Sequence, residues 1–216
     1  MHFVNIHTHK ESKLRFALTN IFPEDAQKIE ENKYYSIGIH PWEVTNVDID
    51  KQLNIVKELA EKKNVLAIGE IGLDKYRENF DLQKKVFLKQ VQIAKEYNKP
   101  IIVHCVKAYS ELLEILKTKI QKVPVIIHRY SGNKTIADEL IKFGCFLSFG
   151  HELFNEKSKA PRVFKKIPLE NIFLETDDSE IDIKEIYQKA SDIRAIDIED
   201  VQNAVFSNFN KCFNLL

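Results

Sequence analysis

The sequence predicts an α/β protein of the (β/α)8 class, a small, distorted TIM-like barrel with its first crossover helix missing or reduced. Three observations carry that prediction. Eight short, continuously apolar segments recur along the 216 residues, as expected of strands buried on both faces of a parallel sheet. Most are separated by stretches with the three-to-four-residue apolar spacing of helices. Polar residues of metal-ligand type also recur at the C-terminal ends of the strands, which an open, doubly wound sheet would not explain.

The elements follow in order. Residues 3–9 read as a first strand ending in Ile6-His7-Thr8-His9. Residues 10–13 are too few for a helix, and residues 14–21 predict a second strand. A short helical piece opens at Pro23, with Glu24 and Asp25 in its first turn, where proline and acids both suit a helix start. Residues 34–40 form a third strand that stops at Pro41. In residues 48–63, Ile49, Leu53, Val56, Leu59 and Ala60 recur with helical spacing. Residues 65–70 make a fourth strand, ending in the turn Ile71-Gly72-Leu73-Asp74. A longer helix over 80–97 buries Phe80, Val86, Phe87, Val91 and Ala94. Pro100 opens a fifth strand at 101–105, a helix follows over 109–119, and residues 123–128 are the sixth strand. A helix over 133–143 stops at Gly144, and residues 145–149 form the seventh strand. The stretch 150–170 carries one short helix, residues 171–177 form the eighth strand, and the spacing of Ile198, Val201, Ala204, Val205, Phe209 and Phe213 closes the chain with a helix.

Size and charge restrict the function classes. A length of 216 residues suits a single barrel domain over 1–216, since one core can be built from it. Apolar residues at 44% and charged residues at 30% are ordinary for a soluble globular protein. Lys+Arg and Asp+Glu both number 32, so no global attraction draws nucleic acid and any polyanion must be held locally. Cys105, Cys145 and Cys212 lie far apart with no CxxC pair, which points to a reducing compartment and no structural disulfide. No apolar run approaches the roughly 18 residues that span a bilayer, and no apolar leader opens the chain, so the expected location is cytoplasmic, with no membrane partner.

His7 and His9 lie two apart on a strand, so both rings project from one face while Thr8 points away. Alone, the pair is as well explained by a histidine-rich start as by metal binding. Glu70, His104, His128 and Asp177 join them at the ends of later strands, and in a parallel barrel all these ends meet at one mouth. His104 and His128 taken singly read better as hydrogen-bonded core histidines, and Asp177 as a cap. Glu70 follows a run that is buried, where an unpaired carboxylate is costly. One shared site accounts for all six better than six coincidences. Four imidazoles and two carboxylates suit two divalent ions, zinc, manganese or magnesium. The expected grouping places His7, His9 and Asp177 on one ion, His104 and His128 on the other, and Glu70 between them. A hydroxide held between the ions would be the nucleophile and Asp177 its proton acceptor, making Asp177 and Glu70 the catalytic residues.

The motifs Asn5-Ile6-His7-Thr8-His9, Gly38-Ile39-His40-Pro41, Gly69-Glu70-Ile71-Gly72-Leu73-Asp74, Val103-His104, His128-Arg129-Tyr130-Ser131-Gly132, Ser148-Phe149 and Leu174-Glu175-Thr176-Asp177 run end to end in the order of the TatD family, within the amidohydrolase-like barrels, which the chain resembles. The resemblance implies a two-metal phosphodiesterase, usually a deoxyribonuclease trimming single-stranded DNA from the 3′ end, with metal ligands at the six positions above. Departures fall on the groups that clamp substrate. Asn5 replaces an aspartate, Val106 an arginine, and the family's Ser-Pro after the final aspartate is Asp178-Ser179, followed by a shortened loop. Lesser candidates for substrate contact are His40, which could instead orient a ligand, Trp42 as a base-stacking ring, Arg129, Lys107 and His151, while Glu175 is placed to orient a ligand. A surface or packing role is an equal or better account of most of these. Two alternatives stay open: hydrolysis of a small ester, lactone or amide, and a degenerate, non-catalytic subunit of a larger complex.

Overall fold

The computed structural model of the chain describes residues 2–120 and 123–214. Eight parallel strands form one sheet in chain order: β1 (Val4–Thr8), β2 (Phe16–Ile21), β3 (Tyr34–Ile37), β4 (Val65–Asp74), β5 (Ile101–Val106), β6 (Val125–Ile127), β7 (Phe146–Phe149) and β8 (Ile172–Leu174). Helices α1 (Ile49–Ala60), α2 (Phe80–Glu96), α3 (Tyr109–Thr118), α4 (Lys134–Lys142), α5 (Ala160–Phe164), α6 (Ile183–Arg194) and α7 (Ile198–Phe213) fall between and after them, which is the TIM-like (β/α)8 fold. No helix separates β1 from β2, and Pro23–Lys28 is a 3-10 turn. None of the described helices is long and apolar enough to cross a membrane.

Four elements differ from the sequence reading. Strand β3 ends at Ile37, so His40 lies beyond it. Residues 71–74 are not a turn: β4 continues unbroken to Asp74, all ten residues buried. Strand β8 ends at Leu174, so Asp177 lies beyond it, in the left-handed region at φ 55°. Helix α6 was not predicted; Asp182 caps it, its carboxylate accepting the Lys184 N–H at 2.8 Å.

The chain divides into two compact units, Met1–Leu18 with Ile127–Leu216, and Thr19–Ile126. In the Thr19–Ile126 unit β4 is the spine, pairing in parallel with β3 and β5. Gly72, at φ 153°, sits where a Cβ would come within 1.9 Å of the His104 carbonyl, so only glycine lets β4 run this close to β5. Two buried glutamines of α2 pin the strand ends. Gln90 accepts the Ile39 N–H at 2.7 Å and donates to the Ile39 carbonyl at 3.0 Å, fixing the backbone just before His40. Gln83 does the same for Asp74, at 2.8 and 3.1 Å. A carboxamide supplies one acceptor and two donors, so it satisfies both backbone groups of a residue at once.

In the other unit the Tyr187 hydroxyl of α6 accepts the Val4 N–H at 3.1 Å and donates to the Val4 carbonyl at 3.0 Å, anchoring the start of β1. Asn208 of α7 donates to the carbonyls of Leu169 and Ile172, both at 2.8 Å, and so holds the entry to β8. Phe149, Phe164, Phe173 and Phe209 are fully buried in this unit's core.

Candidate metal centre

In the unit that contains both ends of the chain, one strand and two strand-end loops bring ligand-type side chains together. His7 lies on β1, His128 directly after β6, and Asp177 three residues after β8. One ligand atom from each of the three lies within 4.8 Å of the others. His7 is fully buried, its Nε2 3.7 Å from Asp177 Oδ1, and the His7 and His128 rings are 4.3 Å apart. His9 turns its Nε2 to the same oxygen at 3.5 Å. The backbone explains why Asp177 stands here. Its N–H donates to the His7 carbonyl at 3.0 Å and its carbonyl accepts the His9 N–H at 3.2 Å, so the loop after β8 is stitched alongside β1. Asn5 reinforces the stitch, its Oδ1 accepting the Thr176 N–H at 3.0 Å and its Nδ2 donating to Thr176 Oγ1 at 2.8 Å.

Around this trio the carboxylates are held by cations and donors. Glu175 is wholly buried, accepts the Arg129 N–H at 2.7 Å and lies 3.0 Å from His128 Nδ1. Burial opposes its ionisation, but the charge and hydrogen bond of His128, with His7 and Ser148, hold its carboxyl below the usual carboxylate range. The Arg129 guanidinium spans three groups: Asp177 Oδ2 at 3.2 Å, His151 Nε2 at 3.1 Å and Glu152 at 3.6 Å. Asp177 thus turns Oδ1 to the histidines and Oδ2 to the arginine.

The Thr19–Ile126 unit carries a second trio, His40, Glu70 and His104, again with ligand atoms within 4.8 Å of one another. Glu70 Oε1 is 2.7 Å from His104 Nδ1 and 3.3 Å from His40 Nε2. The other ring nitrogen of His104 faces Asp74 Oδ2 at 3.3 Å. Glu70 and Asp74 lie four residues apart on β4, so strand alternation puts both on one face, and His104 sits with one carboxylate at each nitrogen. Burial works against ionisation of Asp74. The Trp42 indole, the Tyr76 N–H and His104 outweigh it and hold the carboxyl below its ordinary value.

Two imidazoles and a carboxylate, clustered and largely shielded from water, form in each unit a donor set that fits a divalent metal ion. The second carboxylates, Glu175 and Asp74, occupy the ring nitrogens in the way that fixes a histidine ligand's tautomer and orientation. The grouping differs from the sequence expectation in the places of His128 and His40. His128 stands with His7 and Asp177, whereas His104 stands with Glu70 and with His40, which the sequence marks as a phosphate contact or a residue that orients a ligand, not as a ligand itself. Asp74, read from sequence as part of a turn, is the acidic partner of His104; the signal for it was the even spacing from Glu70, legible only if β4 is known to continue. Among the other candidates, His151 lies on Arg129, Trp42 on Asp74, and Lys107 is exposed after β5 with φ 55° and makes no ion pair among the described residues.

The family described as TatD related DNase matches residues 13–214. The chain belongs to the TatD family of metal-dependent hydrolases. Among TatD-like relatives, it is 37% identical over 148 residues to YabD of Bacillus subtilis (strain 168), named as an uncharacterized metal-dependent hydrolase. That alignment covers 67% of this chain and 58% of YabD, so the chain spans less than two thirds of that relative's length. It is 32% identical over 168 residues to the human 3′-5′ RNA nuclease TATDN2, covering 74% of this chain and 22% of the nuclease. The crystal structure of YJJV, a TatD homolog from Escherichia coli k12, shares the fold with a TM-score of 0.86 at 20% identity, over 99% of this chain and 98% of YJJV.

Proposed function

We propose that this TatD-family chain hydrolyses phosphodiester bonds of single-stranded DNA, working from the 3′ end, with two divalent cations of the zinc, manganese or magnesium type. The observation that carries the reading is the pair of trios, each offering two imidazoles and a carboxylate. His7, His9, His128 and Asp177 would hold one cation, and Glu70 and His104, with His40 beside them, the other. Bound there, such ions supply Lewis acidity toward a phosphoryl oxygen and a nucleophile at neutral pH.

The chain's own residues do the rest. Asp177 takes the proton of the attacking water, and Arg129 at its Oδ2 orients the carboxylate for that task. Glu175 and Asp74 hold the rings of His128 and His104. The guanidinium of Arg129 is 40% exposed, which leaves it able to meet a phosphate oxygen. The nuclease relative acts on RNA by its name, which supports nucleic acid as the substrate class and makes RNA an essential comparison.

The test is metal analysis of the purified chain, followed by assays with Mg²⁺, Mn²⁺ and Zn²⁺. Substrates are end-labelled single-stranded DNA, duplex DNA, RNA and a panel of small esters, lactones and amides. Stepwise shortening of single-stranded DNA from its 3′ end is the expected result. Absence of any bound or activating metal, or a preference for a small ester or amide over every oligonucleotide, would overturn the reading.

A further inference from the structure

We propose that Trp42 and Arg77 form a stacking subsite for a nucleobase of the single strand, beside the His40, Glu70 and His104 trio; the inference rests on the nuclease reading above. Trp42 keeps 44% of its surface exposed, so a planar ligand can reach the indole. It is nonetheless fixed in place. Its indole N–H donates to Asp74 Oδ2 at 2.7 Å, and Asp74 is itself 3% exposed, with Oδ1 accepting the Tyr76 N–H at 2.8 Å. Its backbone N–H meets His40 Nδ1 at 3.2 Å. The ring stands edge-on to His40 and His104, with centroids 4.9 and 5.9 Å away and planes at 85° and 80°. One buried carboxylate therefore holds the indole and a ring of the trio in a common frame.

Arg77 supplies the second half of the subsite. Its guanidinium carbon lies 4.2 Å from the Trp42 ring centroid, a cation–π contact. Both Arg77 and Tyr76 are exposed, Tyr76 by 73%. Among the described residues no carboxylate lies in ion-pair range of Arg77, and its charge rests on the indole. A flat π-system with an anion attached is the ligand that satisfies a fixed aromatic ring and an adjacent planar cation together, and a nucleotide within a strand is such a ligand. The chain's net charge of zero makes a local hold of this kind necessary for any polyanion. A ring already held by its polar edge also loses little freedom on binding.

Trp42 is the chain's single tryptophan, so its emission reports on this subsite alone. The full chain with its metals is titrated with a phosphorothioate oligothymidylate that resists hydrolysis, and in parallel in EDTA. Saturable quenching by the oligothymidylate, and none by an abasic oligomer of equal length, is the expected result. By anisotropy of a labelled strand, Trp42→Ala should weaken binding about 10- to 100-fold and Trp42→Phe much less. Arg77→Ala should lower the salt dependence of binding by about one counterion. Unchanged emission at saturating oligonucleotide, or equal quenching by the abasic strand, overturns the subsite even if the enzyme degrades DNA. Base-dependent quenching without degradation by any metal form upholds the subsite and removes the nuclease reading instead.

Discussion

Replacing Asn5 by alanine removes the clamp that joins β1 to the loop bearing Asp177. The wild-type carboxamide makes two bonds to Thr176, at 3.0 and 2.8 Å, and both residues are buried, at 3% and 9% exposure. Alanine leaves the Thr176 amide without an acceptor, which costs about 1–3 kcal/mol, and removes a second neutral bond worth about 0.5–1.5 kcal/mol. The sum, about 2–4 kcal/mol, with a slope of about 2 kcal/mol per molar urea, lowers the unfolding midpoint by roughly 1–2 M. Unfolding is followed in EDTA, because an ion that binds only the folded chain would add its own stabilisation and mask the loss. The same change loosens Asp177, one residue on, so chelator competition should show metal affinity falling by about 10-fold or more. Asn5→Asp, which restores the residue usual in the family, retains both contacts if the Thr176 hydroxyl turns from acceptor to donor, and should stay closer to wild type than alanine does. A midpoint for Asn5→Ala indistinguishable from the parent, with unaltered metal affinity, would refute the clamp.

Glu70→Gln and Asp177→Asn should each lower turnover by at least about 100-fold and leave the folded chain intact, since both carboxylates face histidines and not the apolar core; variants as active as the parent would remove the roles assigned. Gly72→Ala drives a Cβ to within 1.9 Å of the His104 carbonyl and should leave little soluble, folded protein, measured by expression yield and thermal melting. Burial pushes the thiols of Cys105 and Cys145 up to about 12 and that of Cys212 upward too. The folded chain therefore holds these protons more tightly than the unfolded one. The stability they contribute is fully present below about pH 8.5 and is lost as the pH rises toward 12. Ellman's reagent at pH 8 should label none of the three until denaturant is added, and Cys145→Ala should flatten the alkaline fall of the urea midpoint; rapid labelling of native protein would count against the burial.

The β/α alternation was legible because parallel strands buried on both faces must be apolar throughout. The stretches 65–70, 101–105 and 145–149 therefore announce themselves whatever their partners. Boundaries set by tertiary contacts were not. β4 runs on through Ile71-Gly72-Leu73-Asp74, whose glycine and aspartate spell a turn locally. They form strand because Gln83 satisfies the Asp74 backbone and Gly72 admits the close approach of His104. Helix α6 is polar on most of its surface, and its burial of Ile183, Ile186, Tyr187 and Ala190 makes a stripe too sparse to stand out without knowing that Tyr187 grips Val4.

For the site, residue type carried the prediction and grouping did not. Histidines and acids at strand ends are visible in one dimension, but which ring faces which carboxylate depends on side-chain direction. His40 reads from sequence as the end of a strand stopped by Pro41 and as a lesser candidate for substrate contact. It stands with Glu70 and His104 because Gln90, seventeen residues before Lys107 and remote from any motif, fixes the Ile39 backbone ahead of it. Asp74 shows the same logic from the other side: one carboxylate orients His104, fixes the Trp42 indole and accepts the Tyr76 N–H. A substitution at Gln90 or Asp74 removes no member of a candidate metal-ligand set, yet each alters where a member of that set points. The residues that position a metal-type site are thus amides and acids whose value lies in having a donor and an acceptor, or two acceptor oxygens, at the right place, and no composition or spacing rule marks them in advance.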